Sequence, residues 1–240
     1  MQRPVIAVLM DYEAEGSFSS RPHYALRTNY FTAIERAGGV PIAIPYLPGS
    51  IEPILSIAQG VLLPGGFYPF PDHYYGDPYN PNNPPHPRNA FEDDFTRIIL
   101  QHDMPVLGVC AGMQVLGAVM GATLHRDVHA AIETYTDHLN EKPAEEVAHK
   151  VTITHGTQLH AIVGSDKIDV NTAHREALNT IPETVSVNAL AEDGVIEGIE
   201  LPAQRFALGV QWHPEFFQDA NRTHLALFKA LVSAASETTQ

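Results

Sequence analysis

The chain has 240 residues, 44% of them hydrophobic, which is enough to bury a sizeable core in one large α/β domain or two small ones. Its 14 Lys and Arg against 28 Asp and Glu give a net charge of −14, and such a surface repels nucleic-acid phosphates and anionic lipid. We therefore expect neither nucleic-acid nor membrane binding. A single cysteine excludes an internal disulfide, and the N-terminus lacks the apolar core of a signal peptide, so we expect a cytoplasmic location.

The first half of the chain alternates between short apolar runs and helical patterns. The runs predict buried parallel strands, and the patterns between them place apolar residues on one helix face. The predicted strands are 4–10, 40–47, 60–66 and 104–110, and the predicted helices are 23–39 and 89–103. This order predicts an α/β fold with a doubly wound, mostly parallel sheet and flanking helices.

A proline-rich and aromatic segment, 67–89, interrupts this alternation. It carries seven prolines and is too long for an ordinary connection. Segments of this length are often lids or binding loops, but a rigid surface excursion is an equal alternative.

The second half is richer in strand patterns and predicts a smaller antiparallel portion of the sheet. Asp193-Gly194 is a hairpin-turn signal between two of these strands. No repeat and no linker divides the sequence, so we expect one domain over 1–240. The predicted strands are 145–155, 166–172, 184–191, 194–201 and 205–213, followed by a helix over 219–236.

The only cysteine, Cys110, lies in the apolar stretch 105–124. That stretch is long enough for a transmembrane helix, but glycines and Gln114 interrupt it. The order strand, Gly108-x-Cys110-x-Gly112, helix matches a nucleophile elbow with Cys in place of Ser. The N-terminal end of the following helix favours the reactive thiolate. A small buried core cysteine is the alternative interpretation.

A second motif, His213-Pro214-Glu215, ends a predicted strand. A thiolate nucleophile needs a base, and the base needs an acceptor that orients it. His213 can take the Cys110 proton and later protonate a leaving amine. Glu215, two residues on, can orient the imidazole, because Pro214 restricts the backbone between them.

An acyl-transfer site also needs donors for the oxyanion. The N–H of Ala111 follows the nucleophile and is one candidate. The other is the N–H of Gly65 or Gly66, at the end of a neighbouring predicted strand, where no side chain blocks close approach. A plain turn is the alternative for these two glycines.

The stretches GVCAGMQ, LLPGG and GVQWHPEF together resemble the class I glutamine amidotransferase family, in its free-standing γ-glutamyl hydrolase branch, peptidase family C26. Within that branch the chain is most similar to the γ-glutamyl-γ-aminobutyrate hydrolases. The resemblance covers nearly the whole chain and implies no cofactor. It implies Cys110 as nucleophile, His213 as base, Glu215 as third member, Gly66 and Ala111 as the oxyanion hole, Gln114 as a γ-glutamyl contact, and Asn171 to His174 beside the pocket.

Two positions depart from the family pattern. Ala111 stands where many members of the branch carry Arg, and Met113 stands where polar residues are common. Both changes remove side-chain contacts near the pocket mouth and leave the amine half of the substrate open. The chemistry is less affected, because it uses the backbone of Ala111.

The resemblance implies a cysteine hydrolase that cleaves a γ-glutamyl amide, such as γ-glutamyl-γ-aminobutyrate, in polyamine catabolism. Its partner is then a small-molecule substrate, with a homodimer left open. Two alternatives remain: an amidotransferase subunit that passes ammonia to a separate synthase, and a catalytically silent binding protein with the same fold.

Several histidines outside these motifs lie close together in sequence and are candidate metal ligands. His125 and His129 have i, i+4 spacing, and His149, His155 and His160 lie close together in sequence. A metal site needs three or four converging ligands, and no further partner stands at standard spacing. The sequence therefore predicts no metal site.

Overall fold

The computed structural model describes residues 3–78, 80–82, 86–217 and 222–237. The strands in these residues are β1 (Val5–Leu9), β2 (Asp11–Glu13), β3 (His23–Ala25), β4 (Val40–Ile44), β5 (Gly60–Leu63), β6 (Val106–Val109), β7 (Leu124–His125), β8 (His149–Ile153), β9 (Lys167–Val170), β10 (Ala177–Leu178), β11 (Ser186–Ala191), β12 (Ile196–Glu200) and β13 (Ala207–Val210). The α-helices are α1 (Thr28–Ala37), α2 (Ile51–Ile57), α3 (Pro87–Gln101), α4 (Ala111–Val119), α5 (Val128–Ala131), α6 (Gln158–Val163) and α7 (Arg222–Ser236).

One nine-stranded sheet organises the molecule, in the order β4-β1-β5-β6-β13-β12-β11-β8-β9. The strands from β4 to β13 run parallel, and those from β13 to β9 run antiparallel. The predicted α/β fold, with a doubly wound parallel part and a smaller antiparallel part, is confirmed.

Two apolar layers lie on opposite faces of the sheet. Along β1, Ile6 and Val8 pack with α1, α6 and α7, while Ala7 and Leu9 pack with α2, α3 and α4. Because both faces are covered, the central strands are continuous apolar runs, as their sequences indicated. The hairpin at Asp193-Gly194 is also present, between the antiparallel strands β11 and β12.

Two predicted helix starts were wrong. The helix predicted over 23–39 begins only at Thr28, because residues 23–25 form β3 and pair with β2. That pairing sets Tyr12 opposite Tyr24, with ring centroids 6.2 Å apart. Helix α3 begins two residues earlier than predicted, since proline fits the first helical position.

Two other predictions fall partly outside the described residues. The C-terminal helix is α7, and its predicted residues 219–221 lie outside that range. Positions 79 and 83–85 of the proline-rich segment also lie outside it. In the described part of the chain, no helix combines the length and the apolar character needed to span a bilayer. The stretch 105–124 instead forms β6, a sharp turn and α4.

Candidate active site

The sheet brings the three sequence motifs to one edge. Strands β5, β6 and β13 are parallel neighbours, so their carboxyl ends lie side by side. Gly65 follows β5, Cys110 follows β6, and His213 follows β13. Residues separated by as many as 148 positions in the sequence therefore meet at the same point.

Cys110 occupies the sharp turn between β6 and α4. Its φ of 50° and ψ of −109° are rare for a residue with a side chain and are held by the surrounding backbone. The Cys110 N–H donates to the Val210 carbonyl at 2.8 Å. A Cβ on Gly108 would lie 2.7 Å from the Gly112 carbonyl, and one on Gly112 would lie 2.1 Å from the Leu63 oxygen. The glycines are thus required for this turn to pack against its neighbours.

His213 and Glu215 form a buried pair beside this turn. The His213 Nδ1 lies 2.8 Å from Glu215 Oε1. Asn171 fixes the main chain of His213: its Oδ1 accepts from the His213 N–H at 2.8 Å, and its Nδ2 donates to the His213 carbonyl at 3.0 Å. Asn171 was predicted beside the pocket, but its side chain lies behind His213 and lines neither of the two cavities described below.

The electrostatics of the pair favour a protonated imidazole. Burial lowers the pKa of His213, but the negative charges of Glu215 and Cys110 and their hydrogen bonds outweigh it and raise that pKa to about 10. The imidazolium therefore lies beside the Cys110 sulfur with a proton ready for a leaving group.

Tyr30 is a site residue that the sequence analysis missed. Its hydroxyl accepts from the Gly65 N–H at 3.0 Å. Burial, and then the charge of Glu215 and a hydrogen bond to it, raise the pKa of Tyr30 far above its ordinary value. Tyr30 therefore links Glu215 to the loop after β5. Because Tyr30 occupies the Gly65 N–H, only Gly66 remains of the two predicted oxyanion donors on this loop.

Arg88, at the start of α3, was also missed and holds the loop from the opposite side. This buried guanidinium donates from Nη1 to the Gly65 carbonyl at 3.0 Å and from Nη2 to the Pro64 carbonyl. Its Nε donates to Glu92 Oε2 at 2.9 Å. The C=O and N–H of a trans peptide point in opposite directions. Holding the Gly65 carbonyl therefore turns the N–H of Gly66 away from Arg88.

The two remaining oxyanion candidates have free N–H groups. Neither the Gly66 N–H nor the Ala111 N–H has a hydrogen-bond partner among the described residues. Gly66 lines the cavities on both sides of Cys110. Ala111 is the first residue of α4, where backbone N–H groups have no partner within the helix. The arrangement supplies two donors next to the sulfur.

Two glutamines connect the sulfur to the other side of the site. The Gln114 Nε2 donates to the Glu176 carbonyl at 2.8 Å and to Gln211 Oε1 at 3.0 Å. The Gln211 Nε2 lies 3.5 Å from Cys110 Sγ. Both N–H groups of Gln114 are thus used within the protein, and its Oε1 is left to accept from a ligand. Gln211 lies two residues before His213 and has no sequence signal of its own.

Two cavities meet at Cys110. The first, the Gln114 cavity, has a volume of about 380 Å³ and is also lined by Arg126, His174, Arg175 and Glu176. The second, the His213 cavity, has a volume of about 520 Å³ and is lined on its outer side by Asp11, Glu13 and Arg27. Phe67, Tyr68, Phe70 and Tyr75 of the proline-rich segment line the Gln114 cavity, so that segment forms a wall of the site.

Comparison with known proteins points to one family. A family model described as Peptidase C26 matches residues 4–215. The "Putative glutamine amidotransferase-like protein RP404" of Rickettsia prowazekii (strain Madrid E) is 31% identical over 98% of this chain and 98% of its own length. Gamma-glutamyl-gamma-aminobutyrate hydrolase PuuD of Escherichia coli (strain K12) is 28% identical over 98% and 94% of the two chains. A glutamine amidotransferase from Thermotoga maritima shares the fold, with a TM-score of 0.63, 16% identity and coverage of 99% and 98%.

Proposed function

The chain belongs to the peptidase C26 family, and from that premise we propose that it hydrolyses γ-glutamyl amides through a thioester on Cys110. The observation that carries the proposal is the cysteine at the strained β6–α4 turn with the His213–Glu215 pair beside it. A core cysteine needs neither a strained backbone nor a charged histidine as its neighbour.

The reaction proceeds in two steps. The Cys110 thiolate attacks the γ-carbonyl carbon, and the N–H groups of Gly66 and Ala111 stabilise the oxyanion. The C–N bond breaks as His213 gives its proton to the departing amine. The neutral His213 then takes a proton from water, which attacks the thioester carbon, and glutamate leaves as the Cys110 sulfur is released.

The two cavities suggest where each half of the substrate binds. The amine half must lie near His213, because His213 protonates it, so we assign it to the His213 cavity. The glutamyl half then fills the Gln114 cavity. There the exposed Arg175 suits the α-carboxylate, while Gln114 Oε1 and Glu176 suit the α-ammonium group.

The His213 cavity also suggests a class of amine. Its volume of about 520 Å³ is far more than ammonia needs. Asp11 and Glu13 lie in its wall together with Arg27, and the two carboxylates can accept hydrogen bonds from an amine that carries a second, positive charge. We therefore expect alkylamine and diamine conjugates to be better substrates than glutamine.

The test is glutamate release from a panel of γ-glutamyl amines and glutamine by the purified protein alone. We expect kcat/KM for at least one alkylamine conjugate to exceed that for glutamine clearly. Cys110→Ser should lose nearly all turnover while its circular dichroism spectrum stays unchanged. A fully active Cys110→Ser variant would exclude the thioester mechanism.

A second candidate is an amidotransferase subunit, favoured by the name of the Rickettsia relative, which matches over the full length of both chains. Such a subunit releases ammonia from glutamine and delivers it to a synthase. Activity restricted to glutamine, and appearing only after a synthase is added, would favour this candidate over the hydrolase.

A further inference from the structure

A buried cluster of two histidines and a carboxylate borders the Gln114 cavity. His138 Nδ1 and His174 Nε2 lie 3.2 Å apart, and they lie 3.4 Å and 3.5 Å from the same oxygen, Glu197 Oε1. At most 2% of each residue is exposed. Three side chains from separate parts of the chain therefore point their polar atoms at one place in the interior.

The hydrogen bonds of the outer ring nitrogens of His138 and His174 determine the tautomer of each ring. His138 Nε2 lies 2.9 Å from Asp193 Oδ2, and His174 Nδ1 lies 3.0 Å from the Glu176 carbonyl. A carboxylate and a carbonyl only accept, so these outer nitrogens carry the ring protons. In the neutral rings the inner nitrogens, His138 Nδ1 and His174 Nε2, then carry lone pairs. These lone pairs face each other and a carboxylate oxygen.

Within the described part of the chain, the carboxylate of Glu197 lacks a well-aligned donor. Glu197 is fully buried, and its Oε1 also lies 3.4 Å from His149 Nε2, so three imidazoles face one carboxylate oxygen. Neither Glu197 oxygen has a hydrogen-bond partner of acceptable geometry among the described residues. A buried carboxylate without a donor or a cation is strongly unfavourable.

We propose that His138, His174 and Glu197 bind one zinc ion. Zinc bonds to nitrogen and oxygen are about 2.0–2.2 Å long, so the ligand atoms of a tetrahedral site lie roughly 3.3–3.5 Å from one another. The distances of 3.2, 3.4 and 3.5 Å between the three atoms match these values. Imidazole with carboxylate is a donor set that suits zinc, and water can fill the fourth position.

The outer contacts of the two rings support this assignment. Histidines that bind metals almost always donate their second ring N–H to a carboxylate or a backbone carbonyl, which fixes the tautomer. His138 does so to Asp193, and His174 does so to the Glu176 carbonyl. Asp193 is fixed in turn by the Val195 N–H at 3.2 Å.

The ion would act on the wall of the substrate cavity. His174 lies in the segment 173–176, which lines the Gln114 cavity. The backbone N–H of His174 already donates to the His138 carbonyl at 2.9 Å. Zinc joins this segment to β12 through Glu197. It is a structural ion in this assignment, and zinc binding can be measured whether or not the hydrolase proposal is correct.

Zinc binding is tested on chain without an affinity tag, after removal of metal with a chelator. We expect one zinc ion per chain by competition with a chromophoric chelator, and a visible absorption spectrum of tetrahedral cobalt when Co²⁺ replaces zinc. Glu197→Gln and His138→Gln should weaken binding more than about 100-fold. Asp193→Asn should weaken it about 10- to 100-fold, and Asn-Gly preserves the hairpin turn.

His160→Gln is the matched control. His155, His160 and Asp166 form a second group of metal-type side chains, but two of the three are exposed. This variant should bind zinc as the unchanged chain does. Zinc should also raise the melting temperature of the unchanged chain and not that of Glu197→Gln.

Two results would overturn the assignment. One is an unchanged chain that binds neither zinc nor cobalt stoichiometrically, which would mean that a proton on one ring supplies the positive charge. The other is loss of binding in His160→Gln with binding retained in His138→Gln, which would place the ion on the surface. Both results can be obtained even if the Glu197→Gln variant fails to fold, because they use the unchanged chain or the His160→Gln and His138→Gln variants.

Discussion

At the scale of single residues, the charge of Glu215 governs the pH range in which His213 can act as an acid. Above its pKa of about 10, His213 is neutral in the folded chain and cannot protonate a leaving amine. Glu215→Gln removes a charge that raises this pKa. We expect the alkaline loss of activity to begin at a lower pH in this variant, measured as kcat against pH.

The same pair should show coupled losses. His213→Ala should remove most of the rate, and Glu215→Ala should remove less, because Glu215 orients the imidazole and carries no reacting proton. The double variant should be hardly worse than His213→Ala. Additive free energies in the double variant would mean that the two side chains act in different steps.

Arg88 allows the position of the oxyanion loop to be separated from the stability of the fold. Arg88→Gln frees the Pro64 and Gly65 carbonyls and should lower kcat roughly 10- to 100-fold. It also leaves the buried Glu92 without a cation and with only the Tyr68 hydroxyl as donor among the described residues, which should lower the free energy of unfolding by about 3–5 kcal/mol. The double variant Arg88→Gln/Glu92→Gln removes both charges and should recover stability without recovering kcat.

Denaturant unfolding and kcat, measured on the same preparations, check this prediction. If kcat returns together with stability in the double variant, Arg88 supports only the fold and does not position Gly66.

At the scale of elements, the proline-rich segment 67–89 contributes both to the core and to the wall of the substrate cavities. Phe70 and Tyr74 are buried in the core, while Phe67 is 66% exposed and lines both cavities. Phe67→Ala should therefore raise KM or change amine preference with little change in melting temperature, whereas Tyr74→Ala should lower the melting temperature. Unaltered kinetics of Phe67→Ala across the amine panel would contradict a role in substrate binding.

Helix α7 carries a pH-dependent contribution to stability. His224 stacks on Phe217 with centroids 4.5 Å apart, and its Nε2 donates to the Asp169 carbonyl at 3.1 Å. Burial lowers the pKa of His224 to about 4. The unfolded chain binds this proton below about pH 6.5, so the stabilisation is complete above that pH and is lost as the pH falls towards 4.

We expect His224→Gln to lose less stability than the unchanged chain between pH 6.5 and pH 4, by on the order of 2–3 kcal/mol. The free energy of unfolding in urea at several pH values measures this difference. Parallel pH curves for the two proteins would show that His224 titrates normally in the folded state.

At the scale of the whole molecule, the net charge of −14 should draw positively charged substrates to the site. For a γ-glutamyl diamine, kcat/KM should fall as salt is added, because ions screen this attraction. The neutral amine conjugate of the same length is the control and should respond much less. Equal salt effects on both substrates would mean that the surface charge has no part in their binding.

The sequence predicted those parts of the fold and site that depend on neighbouring residues. Continuous apolar runs identified the central strands, and the short motifs at Cys110 and His213 carry their own local geometry. Tyr30 and Arg88 carry no such signal, since they reach the loop at Gly65 only after α1 and α3 have packed on the sheet. The strand at residues 23–25 has no sequence signal for the same reason, because it exists only through pairing with β2.

The proposed zinc ligands show this limit most clearly. Metal motifs are recognised in a sequence by short, regular spacings. His138, His174 and Glu197 are separated by 36 and 23 positions and come from different elements. Only the meeting of β12 with the two loops brings their polar atoms together.

Cys110 is the only cysteine in these 240 residues, and this determines how the site responds to oxidation. A sulfenic acid formed on Cys110 has no second cysteine in the chain with which to close a protective disulfide. It must be rescued by a thiol from outside, such as glutathione, before it oxidises further to an irreversible sulfinic acid. Survival of the enzyme under peroxide should therefore follow the concentration of small thiols around it.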